Sequence, residues 1–253
     1  MAVLTHVPLQ AATEPDPLVS VVVPVHNEEE LLETTVTRML AELRQLGRPF
    51  ELVLCENGST DHSHDIALNI AARAPEVKVE QLAVGDYGLA LKHAIAMCHH
   101  ELVVIYNLDF WSAAFARTAL EALRSADIVL GSKVMPGASD RRPTIRKVIT
   151  RSFNIFLRLA FGFRGTDTHG MKALRRRQAL PLLTSCVSRD WLFDTEFVLR
   201  AQRAGFRIHE IPVTVREIRP HSYTSIARRF PGVIVGLVKL WVTLRQAPEG
   251  AAR

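Results

Sequence analysis

Residues 18–25 read LVSVVVPV and run directly into His26, Asn27 and Glu28. The run is short, rich in β-branched residues and apolar at nearly every position. That pattern predicts a strand covered on both faces in a parallel sheet. Three acidic residues, Glu28 to Glu30, are followed by Leu31, Leu32, Val36, Met39, Leu40 and Leu43 at helical spacing. This predicts an amphipathic helix whose acidic first turn suits the macrodipole. Working outward, residues 50–55 repeat the strand signal, and Asn57, Gly58, Ser59, Thr60 and Asp61 supply turn chemistry before a helix over 60–73. Residues 77–82 read as a third strand, 88–97 as a helix and 101–107 as a fourth strand. Strand and helix alternate with no internal repeat, which predicts a doubly wound α/β layer with right-handed crossovers.

The second half is less regular. A helix is expected over 114–125, a strand over 127–131 and a polar loop over 136–143. Residues 145–161 read as an amphipathic helix, with Lys147, Arg151, Asn154 and Arg158 on one face and Val148, Ile149, Phe153, Phe156, Leu157 and Phe161 on the other. A helix over 191–204 and a strand over 208–215 follow. The last element, 225–244, is an apolar helix with a thin stripe of Gly232, Gly236, Lys239 and Thr243. Its apolar stretch is shorter than the roughly 20 residues needed to span a bilayer.

The chain has 253 residues, 48% of them hydrophobic and 23% charged, which excludes collagen-like, low-complexity and wholly disordered classes. Three scattered cysteines, Cys55, Cys98 and Cys186, are too few for a disulfide framework or a zinc cluster, so a reducing compartment is expected. The first 17 residues lack a basic start and a long apolar run; they read as a loose tail and not as a signal peptide. The net charge of +5 is unevenly placed: 8 basic and 17 acidic residues lie in 1–126, against 23 and 9 in 127–253. A basic second half favours an anionic partner such as a phosphate, a lipid surface or a nucleic acid. It holds few interleaved aromatics, so nucleic acid is the weakest of the three.

Ligands of open parallel sheets bind beyond the carboxyl ends of the strands. The residues there are His26, Asn27 and Glu28 after the first strand, Glu56, Asn57 and Asp61 after the second, Asn107 and Asp109 after the fourth, and Ser132 and Lys133 after the fifth. Carboxylates beside an anion imply a bridging divalent cation, because a bare carboxylate repels phosphate. Each residue also has a plain structural reading. Glu28 suits a helix N-terminus, Asn57-Gly58-Ser59 suits a turn and N-cap, and Asp109 suits a helix cap. No Gly-Lys-Ser/Thr phosphate loop and no Gly-x-Gly-x-x-Gly after the first strand is present, which argues against a P-loop enzyme and a nicotinamide dehydrogenase.

Three segments together carry a resemblance. Residues 19–28 (VSVVVPVHNE) resemble the opening of the family 2 glycosyltransferases, which have the GT-A fold. Glu56-Asn57-Gly58-Ser59-Thr60-Asp61 is similar to that family's Asp-Asp-Gly-Ser-Thr-Asp turn, and Asn107-Leu108-Asp109 stands where it has its Asp-x-Asp metal motif. In the second half, Gly131-Ser132-Lys133, Arg151-Ser152-Phe153-Asn154, Asp167 to Lys172, Phe193-Asp194-Thr195-Glu196, Glu210 to Val213 and Arg219 to Thr224 resemble the polyprenyl-phosphate (dolichyl-phosphate) mannose and glucose synthases.

The resemblance implies a GT-A domain over 18–224, mostly parallel sheet flanked by helices, with a basic and apolar helical extension over 225–253. It implies an inverting glycosyltransferase moving a hexose from GDP- or UDP-hexose to a polyprenyl phosphate. Pro24, His26, Glu28 and Glu56 would lie in or beside the nucleotide pocket, with Asn57 reading the base. Asp109, with Asn107, would hold Mg²⁺ or Mn²⁺ against the diphosphate, and Lys133 would meet phosphate. Asp194 would lie in the acceptor region, while Arg219, Ser222 and Thr224 would close over the diphosphate. The sequence departs from the family at Asn107 and Asn57, and at Ser222 in place of a glycine. Asn107 keeps an oxygen ligand but removes a charge, so metal affinity should fall.

A lipid phosphate oxygen is already anionic and needs no strong base, whereas a hydroxyl acceptor would need one, for which Asp194 or Glu196 are the candidates. Two alternatives are therefore carried: transfer to a hydroxyl acceptor, and non-catalytic nucleotide-sugar binding. The two apolar helices have two readings of equal weight. They lie on a membrane surface, giving a cytoplasmic protein peripheral on the inner face, or they pack on the domain or across a homodimer.

Overall fold

The computed structural model describes residues 18–215 and 223–246; in the last stretch, side chains are described at 232 and 235–245. The expected N-terminal tail lies outside the described residues. The first strand, β1 (Val19–Val25), is central, pairing in parallel with β2 (Phe50–Asn57) on one side and β4 (Leu102–Ile105) on the other. Val19, Val21, Val22, Val23 and Val25 are buried, as burial on both faces requires. β3 (Val77–Leu82) pairs in parallel with the outer side of β2.

Helices α1 (Leu32–Arg44), α2 (Ser63–Arg73), α3 (Tyr87–Met97) and α4 (Ala113–Ala122) connect these strands onward to β5 (Ile128–Ser132). α1 buries Leu32, Val36, Met39, Leu40 and Leu43, the stripe its periodicity predicts. Its first turn holds one acidic residue, Glu33; Glu28 to Glu30 precede the helix and belong to the loop above the sheet.

The full order is β3-β2-β1-β4-β7-β5-β8, with β7 (Lys172–Arg175) antiparallel to both β4 and β5, and β8 (Ile208–Pro212) parallel to β5. β7 was not expected from the sequence. The expected strand over 208–215 divides into β8 and a two-residue β9 (Thr214–Val215), which pairs with β6 (Ser139–Asp140) inside the expected polar loop.

Two apolar clusters cover the two faces. One joins β1 and β2 to α1, α2 and α4. The other joins the sheet to α3, α5 (Thr144–Phe161), α6 (Arg176–Ser185), α7 (Leu192–Arg203) and α8 (Tyr223–Gln246).

α8 packs on α7, burying Leu237, Leu240 and Leu244. Gly236 is the close point: a Cβ there would collide with the Leu192 side chain. Val235, Val238, Trp241 and Val242 remain exposed on the other face.

α5 corrects the expected division of its faces. Asn154 is buried with Leu157 and Phe161, while Val148, Ile149 and Phe156 are exposed. The helix shows its apolar side outward because only a narrow strip of it meets the domain.

Candidate active site

At the ends of β1 and β2 two loops are laced together by reciprocal hydrogen bonds. Asn27 takes a left-handed backbone (φ 53°), which asparagine tolerates better than most residues. Its Oδ1 accepts from the Thr60 N–H at 2.8 Å, while Ser59 Oγ accepts from the Asn27 N–H at 3.0 Å. The Glu28 and Glu29 N–H groups donate to Ser63 Oγ (2.7 Å) and Asp61 Oδ2 (3.1 Å), and Glu29 Oε2 accepts from the His62 N–H (3.0 Å). His26 Nδ1 donates to the Asn57 carbonyl at 2.7 Å.

The acids and amides of the turn are used in building it. Glu56 is 1% exposed, and its Oε1 accepts from the Ser59 N–H at 2.5 Å. Asn57 is 4% exposed, and its Oδ1 accepts from the Asp86 N–H at 2.8 Å. Asp86 then caps α3 through the Leu89 N–H (2.9 Å) and pairs with Arg189 Nε at 3.1 Å. Gly58 sits at φ 63°, where a Cβ would meet Gly85 N at 2.7 Å, so the 57–59 turn and the 84–86 loop touch backbone to backbone. Asn57, expected to read a base, holds the loop that would flank one.

Beyond β4, Asn107 and Phe110 form an isolated bridge that turns the chain back and leaves Asp109 exposed at its tip. Tyr87 joins this tip to the second half. Its hydroxyl donates to the Asp194 carboxylate (3.3 and 3.4 Å), and its pKa is pushed well up by burial and then by the charges of Asp194 and Asp109. Asp194, in the first turn of α7, is bound at 3.0 Å by Lys172 Nζ, which also donates to the Gly170 carbonyl (2.9 Å). Lys172 is 1% exposed; without Asp194 its charge would be uncompensated.

Lys133 pairs with Asp167 at 2.8 Å and donates to the His169 carbonyl. Burial pulls its pKa below the usual lysine value, with Asp167 opposing that shift. His169 Nε2 donates to the Trp191 carbonyl (3.0 Å) and Nδ1 accepts from Thr168 Oγ1 (2.9 Å), an arrangement for neutral imidazole. Burial lowers its pKa in the same sense. The ring stacks on Trp191 at 5.4 Å. Lys133, Asp167 and His169 also line a cavity of about 1120 Å³ whose other walls come from α5, α8 and Trp191.

The sheet edge thus brings together Asp109, Tyr87, Asp194 and Lys172, with Lys133 and Asp167 beside the cavity. Tyr87, Asp167 and Lys172 were not singled out by sequence reasoning, and only the resemblance of 167–172 pointed toward two of them. Glu196 is withdrawn as a candidate base. It is 0% exposed, and its carboxylate accepts from the Val187 and Ser188 N–H groups and from Arg200 Nε. Arg219 and Ser222 lie outside the described residues, and Thr224 falls in the first turn of α8. Pro24, the next-to-last residue of β1, is half-buried.

Among the described residues no three His, Cys, Asp or Glu side chains gather as a metal cage. Asp109 and Asn107 offer one carboxylate and one amide oxygen. That set fits a cation held largely by a substrate's phosphates, the usual mode for Mg²⁺.

Comparison with known proteins follows the same outline. The profile of the glycosyl transferase family 2, "Glycosyl transferase family 2", matches residues 20–183. The chain is 30% identical over 250 residues to "Glycosyltransferase AglD" of Haloferax volcanii, covering 94% of this chain but 39% of that protein. It is 28% identical over 204 residues to an undecaprenyl-phosphate mannosyltransferase of Micrococcus luteus, covering 78% of this chain and 82% of the relative. An undecaprenyl-phosphate 4-deoxy-4-formamido-L-arabinose transferase of Pectobacterium carotovorum is 28% identical over 68% of this chain and 52% of its own. The chain therefore spans two fifths to half the length of the first and third of these proteins. In fold, it superposes with a TM-score of 0.68 on glucosyl-3-phosphoglycerate synthase of Mycobacterium tuberculosis, crystallised with Mn²⁺, UDP and glucosyl-3-phosphoglycerate. Identity is 20%, with 94% of this chain and 86% of that one covered. With the matched profile spanning more than half of its length and the sheet order found above, this chain belongs to glycosyl transferase family 2 and has a GT-A-like fold.

Proposed function

We propose that the protein is an inverting hexosyltransferase that moves a hexose from a nucleoside-diphosphate sugar to a lipid phosphate of the polyprenyl class. The observation that carries the acceptor is the cavity beside Lys133 and Asp167: its walls are largely apolar and its charged lining is mostly basic. A soluble hydroxyl acceptor would want the opposite, polar walls and a base. The names of the Micrococcus and Pectobacterium relatives point the same way.

In this reading, Pro24, His26, Glu28, Glu56 and Asn57 form or brace the nucleotide end. Cleaving the anomeric bond develops negative charge on the departing diphosphate. Mg²⁺ or Mn²⁺, bound through that diphosphate with Asp109 and Asn107, would supply positive charge there. Arg219, Ser222 and Thr224 are assigned to the diphosphate by motif. The acceptor phosphate attacks the face of the donor carbon opposite the leaving group. Being anionic it needs no base, which agrees with Glu196 committed to a loop and Asp194 neutralised by Lys172. Asp194 and Tyr87 then orient groups between the donor and the acceptor.

No helix among the described residues is long and apolar enough to cross a membrane. Peripheral contact with the cytoplasmic face of a membrane is the mode of access we favour. The exposed Val148, Ile149, Leu159, Val238 and Val242 of α5 and α8 support it, with Lys147, Arg151 and Lys239 on the same helices.

The test is a donor screen. Purified protein is incubated with UDP- and GDP-hexoses, with Mg²⁺, Mn²⁺ or chelator, and with undecaprenyl phosphate or hydroxyl acceptors. Transfer to undecaprenyl phosphate alone is expected, lost in Asp109→Ala. Transfer confined to hydroxyl acceptors, or nucleotide binding without sugar release from any donor, overturns the proposal.

A further inference from the structure

Lys172 is a buried charge with no task in the chemistry described so far. It is 1% exposed at the start of β7, and its Nζ donates to Asp194 Oδ1 at 3.0 Å and to the Gly170 carbonyl at 2.9 Å. Among the described residues the Asp194 carboxylate otherwise receives only the long contacts from the Tyr87 hydroxyl, at 3.3 and 3.4 Å. A buried ion pair is weak evidence for stability, because apolar side chains of similar volume often serve as well or better. The pair therefore calls for a reason beyond folding. A second pair repeats the arrangement beside it. Lys133 binds Asp167 at 2.8 Å and donates to the His169 carbonyl, one residue before the carbonyl that Lys172 takes. Thr168 Oγ1 and Thr195 Oγ1 meet at 3.0 Å and tie this turn to the start of α7. Of the carboxylates Asp109, Asp167 and Asp194, two are thus cancelled by a buried lysine each, and Asp109 alone stands exposed.

From this arrangement we infer that Lys172 sets the class of acceptor: by cancelling Asp194 it removes a charge that would repel an anionic acceptor from the sheet edge. This inference rests on the proposed function and deepens it. An uncompensated carboxylate beside an entering phosphate repels it strongly, because a partly buried edge screens charge poorly. An uncharged acceptor feels no such force. Lys172 is too deeply buried to touch either substrate. It is a positioning residue that acts through Asp194, holding the carboxylate in place and supplying its counter-charge.

The test compares a charged acceptor lipid with an uncharged one. Undecaprenyl phosphate and undecaprenol, in detergent micelles, are titrated separately into the full chain, following the fluorescence of Trp191 and Trp241, which line the cavity. Lys172→Met should lose about tenfold or more in affinity for the phosphate lipid and keep its affinity for the alcohol within about twofold. Asp194→Asn keeps an oxygen for Lys172 but drops the negative charge, and should bind the phosphate lipid at least as tightly as wild type. The double variant, neutral again, should return to within about threefold of wild type. These signs separate charge from packing, since a merely structural lysine would weaken both lipids together. Equal loss for the two lipids in Lys172→Met, or no loss for the phosphate lipid, overturns the assignment. If Lys172→Met does not fold, Asp194→Asn decides, and weaker binding of the phosphate lipid by that variant overturns it. Sugar transfer to undecaprenyl phosphate that Lys172→Met leaves unchanged sinks this inference and keeps the proposed function. Absence of transfer by wild type sinks the function itself.

Discussion

Replacing Glu196 with glutamine separates a structural carboxylate from a chemical one. The side chain is fully buried and accepts from three donors: the Val187 N–H at 3.0 Å, the Ser188 N–H at 2.7 Å and Arg200 Nε at 2.7 Å. Glutamine keeps one acceptor oxygen and turns an NH₂ toward groups that are themselves donors. At least one buried donor then loses its partner, and the Arg200 guanidinium loses its counter-charge. Hydrogen bonds to charged groups contribute about 1.5–3 kcal/mol each, and breaking a buried pair costs about 3–5 kcal/mol. Arg200 is 12% exposed along its side chain, so water relieves part of that loss. A destabilisation of about 3 kcal/mol follows, which for a chain of this size lowers Tm by about 6–12 °C. Circular dichroism melting measures it. The released segment also carries the Arg189 carbonyl that accepts from the Gly88 N–H (3.0 Å) and the Arg189 side chain on Asp86. Transfer should therefore weaken by about tenfold through misplacement of the loop that leads into α3, and not by the roughly 10²–10⁴-fold that loss of a general base brings. A variant melting at the wild-type temperature with transfer lost a thousandfold would refute the reasoning and return Glu196 to the chemistry.

Gly58→Ala forces a Cβ onto the backbone of Val84 and Gly85 at a positive φ, and should cost about 2–4 kcal/mol in urea unfolding; an unchanged midpoint would show that the 84–86 loop moves freely. Burial works to raise the Glu51 pKa, but the hydrogen bonds from Lys78, Ser20 and His99 outweigh it and hold the carboxyl at about 2 against an ordinary 4.5. Because the folded value is depressed, the stabilisation is complete above about pH 5 and is lost as pH falls toward 2; it amounts to about 2–3 kcal/mol after discounting the half-exposed Lys78, and Glu51→Gln should flatten this acid limb of the Tm profile. Cys55, Cys98 and Cys186 are free and buried, and burial raises the first two thiols to about 12, so a thiol reagent at pH 8 should label none in the native protein and three after guanidinium unfolding; native labelling of any would contradict their placement.

The first half was legible because its signals are local. Continuous apolar runs gave β1 and β2, the α1 stripe gave a helix, and β3 begins and ends at the residues the pattern predicted. β7 stayed hidden because its four residues include only Ala173 and Leu174 as apolar members, between Lys172 and Arg175. A lysine reads as solvent-exposed until Asp194, from a later helix, neutralises it. The burial of Asn154 was likewise invisible, since a helical wheel says which residues share a face but not which face meets the domain. At the site, the motifs marked loops that the fold gathers at one edge of the sheet. They did not say that Glu56 and Asn57 would be consumed in bracing them, because a carboxylate that binds ligand and one that caps a turn have the same spacing.

The position of β7 bears on how the chain can be assembled. β4 and β5 never touch as partners; β7, which leaves the ribosome well after both of them, pairs with each and joins the β1–β4 side of the sheet to the β5–β8 side. The nascent protein therefore cannot zip its sheet from one end to the other as it is made. Two separate edges must wait, exposed, until the strand that bridges them arrives, and a protein truncated before Lys172 would carry that gap permanently. The loops that follow β4 and β5, where Lys133 lies over the Phe110 ring, become neighbours only at that closing step.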